Sequence, residues 1–106
     1  MDKLVQRAVL FDHYGDLLNE KQRRIVEYTV SDDMSLSEIG EEEGITRQAA
    51  SDLLKRADER LLEFEEKLGI IRKSENISAC IRRIREYGTD DLIETELSKI
   101  EAELSQ

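Results

Sequence analysis

Arg47, Gln48, Ser51, Asp52, Lys55 and Arg56 fall at helical spacing, so a helix through them gathers all six on one face. Arg and Gln are suited to base edges in a major groove, and Lys or Arg to phosphates. Asp52 lies among them and opposes a phosphate backbone. Ser35 and Ser37 open the preceding helical segment, where hydroxyls and free backbone N–H groups could meet a phosphate. The pattern is one for contacting a polyanion, and the whole set is the predicted nucleic-acid-binding face.

Bond-breaking chemistry has no comparable constellation. His13 is the single histidine and sits beside Asp12 at a helix end, a place for a surface or capping role rather than a general base. Cys80 is the single cysteine, lies on an apolar stripe and reads as core; it makes neither an internal disulfide nor a zinc framework. The acids Glu41–Glu43 and Glu63, Glu65 and Glu66 read as solvated faces rather than metal ligands. No glycine-rich phosphate loop occurs, so the chain should not be a GTPase itself. A non-enzymatic protein without catalytic residues, metal or cofactor is expected.

The elements that must position the basic face are legible. Ser35 and Glu38 form a capping box ahead of Leu36 and Ile39. Glu41–Glu43 close that short helix, and Gly44 can take the left-handed backbone of a tight turn. Ile45 plugs the corner, Thr46 caps the next helix, and Gly40 is small where the two helices would cross. This is the layout of a helix-turn-helix. Ahead of it, Leu4, Ala8 and Phe11 mark a helix over residues 3–14, stopped by Gly15. Asn19 and Gln22 then open a second helix whose inner face is Ile25, Val26 and Thr29.

From Thr46 one long helix runs to Leu68 and ends at Gly69. Ala50, Leu54, Ala57, Leu61, Phe64, Leu68 and Ile71 keep a heptad seam along it. Leu54, Leu61, Phe64 and Leu68 are the residues expected to pack on the chain's own tail or on a second protomer, and we expect a homodimer. Two tail helices follow, about Ser74 to Tyr87 with Ile77, Cys80 or Ile81, and Ile84 inward, and one after Thr89 or Asp90 with Leu92 or Ile93, Leu97, Ile100 and Leu104 inward. The expectation is an all-α protein: a wingless helix-turn-helix domain over residues 1–70 and a helical tail over 71–106.

Composition agrees with this reading. The 106 residues include 39% charged side chains, 39% hydrophobic ones and no proline, and the net charge is -9. That favours helices with short turns. Such acidity repels nucleic acid unless cations gather on one face. No apolar run is long enough to span a bilayer and no signal-peptide pattern is present, so a cytoplasmic protein with no membrane insertion is expected.

Leu17-Leu18-Asn19-Glu20-Lys21-Gln22, Asp32-Asp33-Met34-Ser35-Leu36-Ser37-Glu38-Ile39 and Ile45-Thr46-Arg47-Gln48-Ala49-Ala50, with Lys55-Arg56 and Phe64-Glu65-Glu66-Lys67-Leu68, resemble the YlxM family of small bacterial helix-turn-helix proteins. The resemblance covers roughly residues 1–70. The motif is also similar to region 4 of bacterial sigma factors, which reads promoter DNA. What the resemblance implies is a cytoplasmic regulatory protein associated with the signal recognition particle pathway, with the particle's GTPase or its receptor as partner. Two positions depart from the family pattern: Glu43 stands where an apolar residue is usual, and Gly40 where alanine is commoner. The readings left open are nucleic-acid or protein/RNA binding within that machinery, a DNA-binding transcription regulator, and a protein-only helical adaptor.

Overall fold

The computed structural model describes residues 2–105, which form six α-helices: α1 (Lys3–Tyr14), α2 (Glu20–Val30), α3 (Leu36–Glu43), α4 (Arg47–Leu68), α5 (Ile70–Tyr87) and α6 (Asp91–Leu104). A single 3-10 turn, Gly15–Leu17, links the first two. The backbone divides into two compact units, Met1–Gly69 and Ile70–Gln106.

In the first unit α4 is the spine, with α1, α2 and α3 all packed on it. The core is Leu10, Tyr14, Leu18, Ile25, Val26, Ile39, Ala50, Ala57 and Leu61. Ala50 and Ala57 are wholly buried, so α4 offers small residues where other helices approach. On α1 the inward row is Leu10 and Tyr14, while Leu4 is 43% exposed. The row turns because Arg7 points inward and grips Asp58 of α4 through two hydrogen bonds of 2.7 and 2.8 Å. That pairing raises the Arg7 pKa, and burial opposes the rise.

Capping chemistry places the helix starts. Asn19 with Gln22 and Ser35 with Glu38 make complete capping boxes. Thr46 Oγ1 accepts the Ala49 N–H at 3.0 Å. Gly15 stops α1 for a different reason from the expected one. Its φ of -55° is right-handed, but a Cβ there would lie 2.9 Å from the Phe11 ring. The glycine supplies space for Phe11 rather than a left-handed turn.

The α3–α4 corner needs both of its glycines. Gly44 has φ 69° and donates its N–H to the Gly40 carbonyl, which also accepts from Ile45 at 2.9 Å. A Cβ on Gly40 would lie 2.8 Å from the Ile45 carbonyl oxygen. The helix-propensity cost of Gly40, up to about 1 kcal/mol, is therefore offset by a close backbone approach.

The second unit is a helical hairpin turned at Gly88, φ 100°. α5 begins at Ile70, a turn earlier than Ser74, because Gly69 takes the left-handed conformation (φ 64°) and the next residue is already helical. Only Ile81 and Leu97 are buried hydrophobics among its described residues. Cys80 is exposed and accepts a hydrogen bond from Arg83, so it is not core. Ile77, Ile84, Ile93 and Ile100 are 40–42% exposed and Leu92 is 79% exposed rather than inward. The cause is Arg85. Its guanidinium bonds Glu94 at 3.1 Å and Glu101 at 2.7 and 3.0 Å, which fixes Glu94, Leu97 and Glu101 towards α5 and rotates the isoleucines aside.

Gly44→Ala should cost about 1–2 kcal/mol in urea unfolding, because a Cβ at positive φ is strained although the space is open, and Gly44→Asn should cost less. Hydrogen bonding to Arg85 holds the Glu101 carboxyl below its ordinary value of 4.5. The hairpin's stabilisation from this contact is thus complete above pH 4.5 and fades as pH falls through the lowered value. Carboxyl NMR titration should show the depressed midpoint, and Arg85→Gln should return it to the ordinary range.

Candidate nucleic-acid interface

The free end of α4 is built by its cap. Thr46 takes the Ala49 N–H, no acid occupies the first turn, and Arg47 and Gln48 stand at the first two helical positions. Arg47, Gln48, Asp52, Lys55 and Arg56 are exposed and Ser51 is half-buried. Gln48 Nε2 donates to Asp52 Oδ1 at 3.1 Å. The acid is thereby occupied by a neutral amide, and Gln48 is held along the helix. Arg47, Lys55 and Arg56 supply three cations over two and a half turns.

Ser35 and Ser37 are exposed at the start of α3. Ser35 Oγ accepts the Glu38 N–H at 3.2 Å, and Glu38 Oε1 accepts the Ser35 N–H at 3.1 Å. The Ser35 hydroxyl proton is still a donor, so capping and phosphate contact are compatible uses of one side chain. The Ser35 N–H bonded to its carboxylate is the main cause of the lowered Glu38 pKa, with the Ser35 side chain second.

The fold adds a residue that sequence reasoning missed. A shallow groove beside the basic face is lined by Lys3, Leu36, Ser51, Leu54, Lys55 and Leu62, among others. Lys3 lies 52 residues before Lys55 in the chain, and no local pattern links them. The signal was the Arg7–Asp58 pair, a cation on the first helix matched to an acid on the long one, which sets α1 against α4.

The acidic run at the end of α3 is partly answered. Arg24 Nε donates to Glu43 Oε1, joining α2 to α3. This contact raises the Arg24 pKa. The charge at position 43 therefore has a structural partner within the first unit. Arg23 lies 3.8 Å from Asp16 and Arg85 is held by its two glutamates, so these cations are partly engaged within the chain.

Of the seam residues, Leu61 is fully buried and Leu54 lines the groove. Phe64 lies between the Tyr14 ring, 6.0 Å away, and the Arg60 guanidinium, 4.7 Å away. Tyr14 also donates to Glu65. Phe64 is thus engaged within the first unit, whereas Leu62 and Leu68 are 46% and 44% exposed. Among the described residues no group of three His, Cys, Asp or Glu side chains gathers as a metal site, and no helix is long and apolar enough to cross a membrane.

A capped short helix, a left-handed glycine corner and an outward second helix with a cationic tip agree with what sequence comparison finds. Residues 1–100 match the family model for YlxM/p13-like helix-turn-helix proteins, UPF0122. The chain belongs to this family. It is similar to a UPF0122 protein of Halalkalibacterium halodurans, 42% identical over 81% of this chain and 79% of that one. Another, from Caldanaerobacter subterraneus, is 42% identical over 80% of this chain and 73% of its own. A third, from Clostridium botulinum, is 45% identical over 70% and 68%. The family match runs well past residue 70, so most of the second unit is part of the family pattern and not an appendage to it.

Ser35→Ala tests the double use of that serine. Loss of the N-cap should cost about 1 kcal/mol of stability. Because the backbone N–H is the larger cause, Glu38 should keep most of its lowered pKa in the variant, as read by carboxyl NMR titration.

Proposed function

We propose that this protein is a non-enzymatic regulatory protein that binds nucleic acid through the exposed start of α4, with Arg47, Gln48, Ser51, Asp52, Lys55 and Arg56 facing the target and Ser35 and Ser37 meeting the backbone. The observation that carries this reading is the helix-turn-helix corner itself. It leaves the capped end of α4 open with Arg47 exposed there, and one and two turns further on Ser51 and Lys55 line a groove together with Lys3 of α1. The target in this reading lies within the cytoplasmic signal recognition particle machinery, where an RNA offers the phosphates this face would neutralise and the GTPase or its receptor offers a protein surface.

The electrostatics suit a weak, adjustable contact. With a net charge of -9, the protein as a whole repels a polyanion, and only the local face attracts it. Association then depends steeply on salt and on orientation. Gln48 bonded to Asp52 lowers the cost of keeping an acid on that face.

A promoter-binding role uses the same side chains and differs in the target. Titration against the particle's RNA and against duplex DNA, each at several salt concentrations, separates the two. Arg47→Ala should weaken binding and reduce the salt slope by about one, since one phosphate contact is lost. Its thermal midpoint should stay within about 2 °C of the parent protein, because Arg47 is exposed. Absence of salt-dependent binding to either nucleic acid would leave a protein-only adaptor as the function, and binding unchanged by Arg47→Ala together with Lys55→Ala would rule out this face.

A further inference from the structure

The α5–α6 hairpin has two different faces, and the heptad register shows which is which. The row between the helices is set by Ile81 and Leu97, both buried, and by Arg85 bonded to Glu94 and Glu101. Ile84 immediately precedes Arg85, and Ile77 lies one heptad earlier. Ile93 immediately precedes Glu94, and Ile100 precedes Glu101. In a right-handed helix the preceding residue lies about 100° around the axis. Because α5 and α6 run in opposite directions, that rotation brings both isoleucine rows to the same side of the pair. Ile84 then lies level with Ile93, and Ile77 with Ile100. All four are 40–42% exposed. The other side of the hairpin carries Arg82 and Ser98, both exposed and polar.

The two helices also differ in charge. α5 has five cationic and two acidic side chains, net +3, and α6 has one cation and five acids, net -4. With Arg85, Glu94 and Glu101 paired between the helices, the isoleucine face is bordered by Lys73 on the α5 side and Glu103 on the α6 side, and such a face is complementary to itself after a half-turn about an axis parallel to the helices. That operation lays α5 of one protomer on α6 of the other, antiparallel, so every neighbouring pair in the resulting bundle joins a cationic helix to an acidic one.

We propose that a second copy of this chain covers the isoleucine face, so that two hairpins form a four-helix bundle. Ile77 packs on the partner's Ile100 and Ile84 on the partner's Ile93, with Lys73 at the rim opposite the partner's Glu103. β-Branched residues repeated every seven positions suit such packing. A hairpin with two buried hydrophobics gains from it the core it lacks. Four isoleucines with about two-fifths of their surface free supply only part of the ~800 Å² per partner of a standard interface, so the dissociation constant belongs in the micromolar range. This surface is distinct from the α4 seam, where Leu61 is buried and Phe64 is engaged with Tyr14 and Arg60. It does not depend on what the α4 face binds.

Sedimentation equilibrium of the full chain from 1 to 200 μM tests the assignment. The expected result is a reversible monomer–dimer equilibrium that Ile84→Ser weakens at least tenfold, with helicity preserved by circular dichroism. Should Ile84→Ser lose helicity, the rim pair decides, since Lys73 and Glu103 are both exposed. Glu103→Lys should weaken dimerisation several-fold, and adding Lys73→Glu in the same chain should restore it. A wild-type monomer at 200 μM, a dimer indifferent to Ile84→Ser in a folded chain, or a Glu103→Lys defect that Lys73→Glu does not rescue overturns the proposal.

Discussion

The approach of two backbones at the α3–α4 corner is the constraint on which the first unit depends. The Gly40 carbonyl collects the Gly44 and Ile45 N–H groups, while the missing Gly40 side chain lets the Ile45 carbonyl come near. With that distance fixed, Ile39 and Ala50 can both be wholly buried. The direction in which α4 leaves the corner follows, and with it the exposure of Arg47 and Gln48. A wider corner would open the core at Ile39 and tilt the cationic tip at once, so packing and the placement of that tip share one geometric requirement.

Much of this was legible because it is written locally. Capping boxes span four residues, so Ser35 with Glu38 and Asn19 with Gln22 announce their helix starts in the sequence. Gly44 before Ile45 and Thr46 announces the turn. Relations between distant segments were harder. Arg7 with Asp58 pulls α1 round so that Tyr14 is inward and Leu4 is not, and brings Lys3 beside Lys55. No periodicity in residues 3–14 separates an inward arginine from a solvated one.

The hairpin shows the same limit more sharply. An apolar period of seven marks a stripe but not the partner it faces, and hydrophobicity favours Ile77, Ile84, Ile93 and Ile100 as the inner row. The inner row instead includes Arg85, Glu94 and Glu101, because a guanidinium that bonds two carboxylates at once is a strong and directional tie. At 34–45% side-chain exposure the three groups keep enough water to limit their desolvation cost.

A polar seam inside the hairpin changes what the isoleucines can do. Had they formed the inner row, the hairpin would have spent its apolar surface on itself and shown water an ordinary polar exterior. With Arg85 setting the phase, the intramolecular contact is chosen by charge and the apolar row is left on one outer side. The arginine and its two glutamates are used between the helices, and the charges left at the borders belong to other residues, Lys73 on α5 and Glu103 on α6. In the first unit the roles are reversed. There the apolar core fixes α4, and the charged groups at its tip are left exposed.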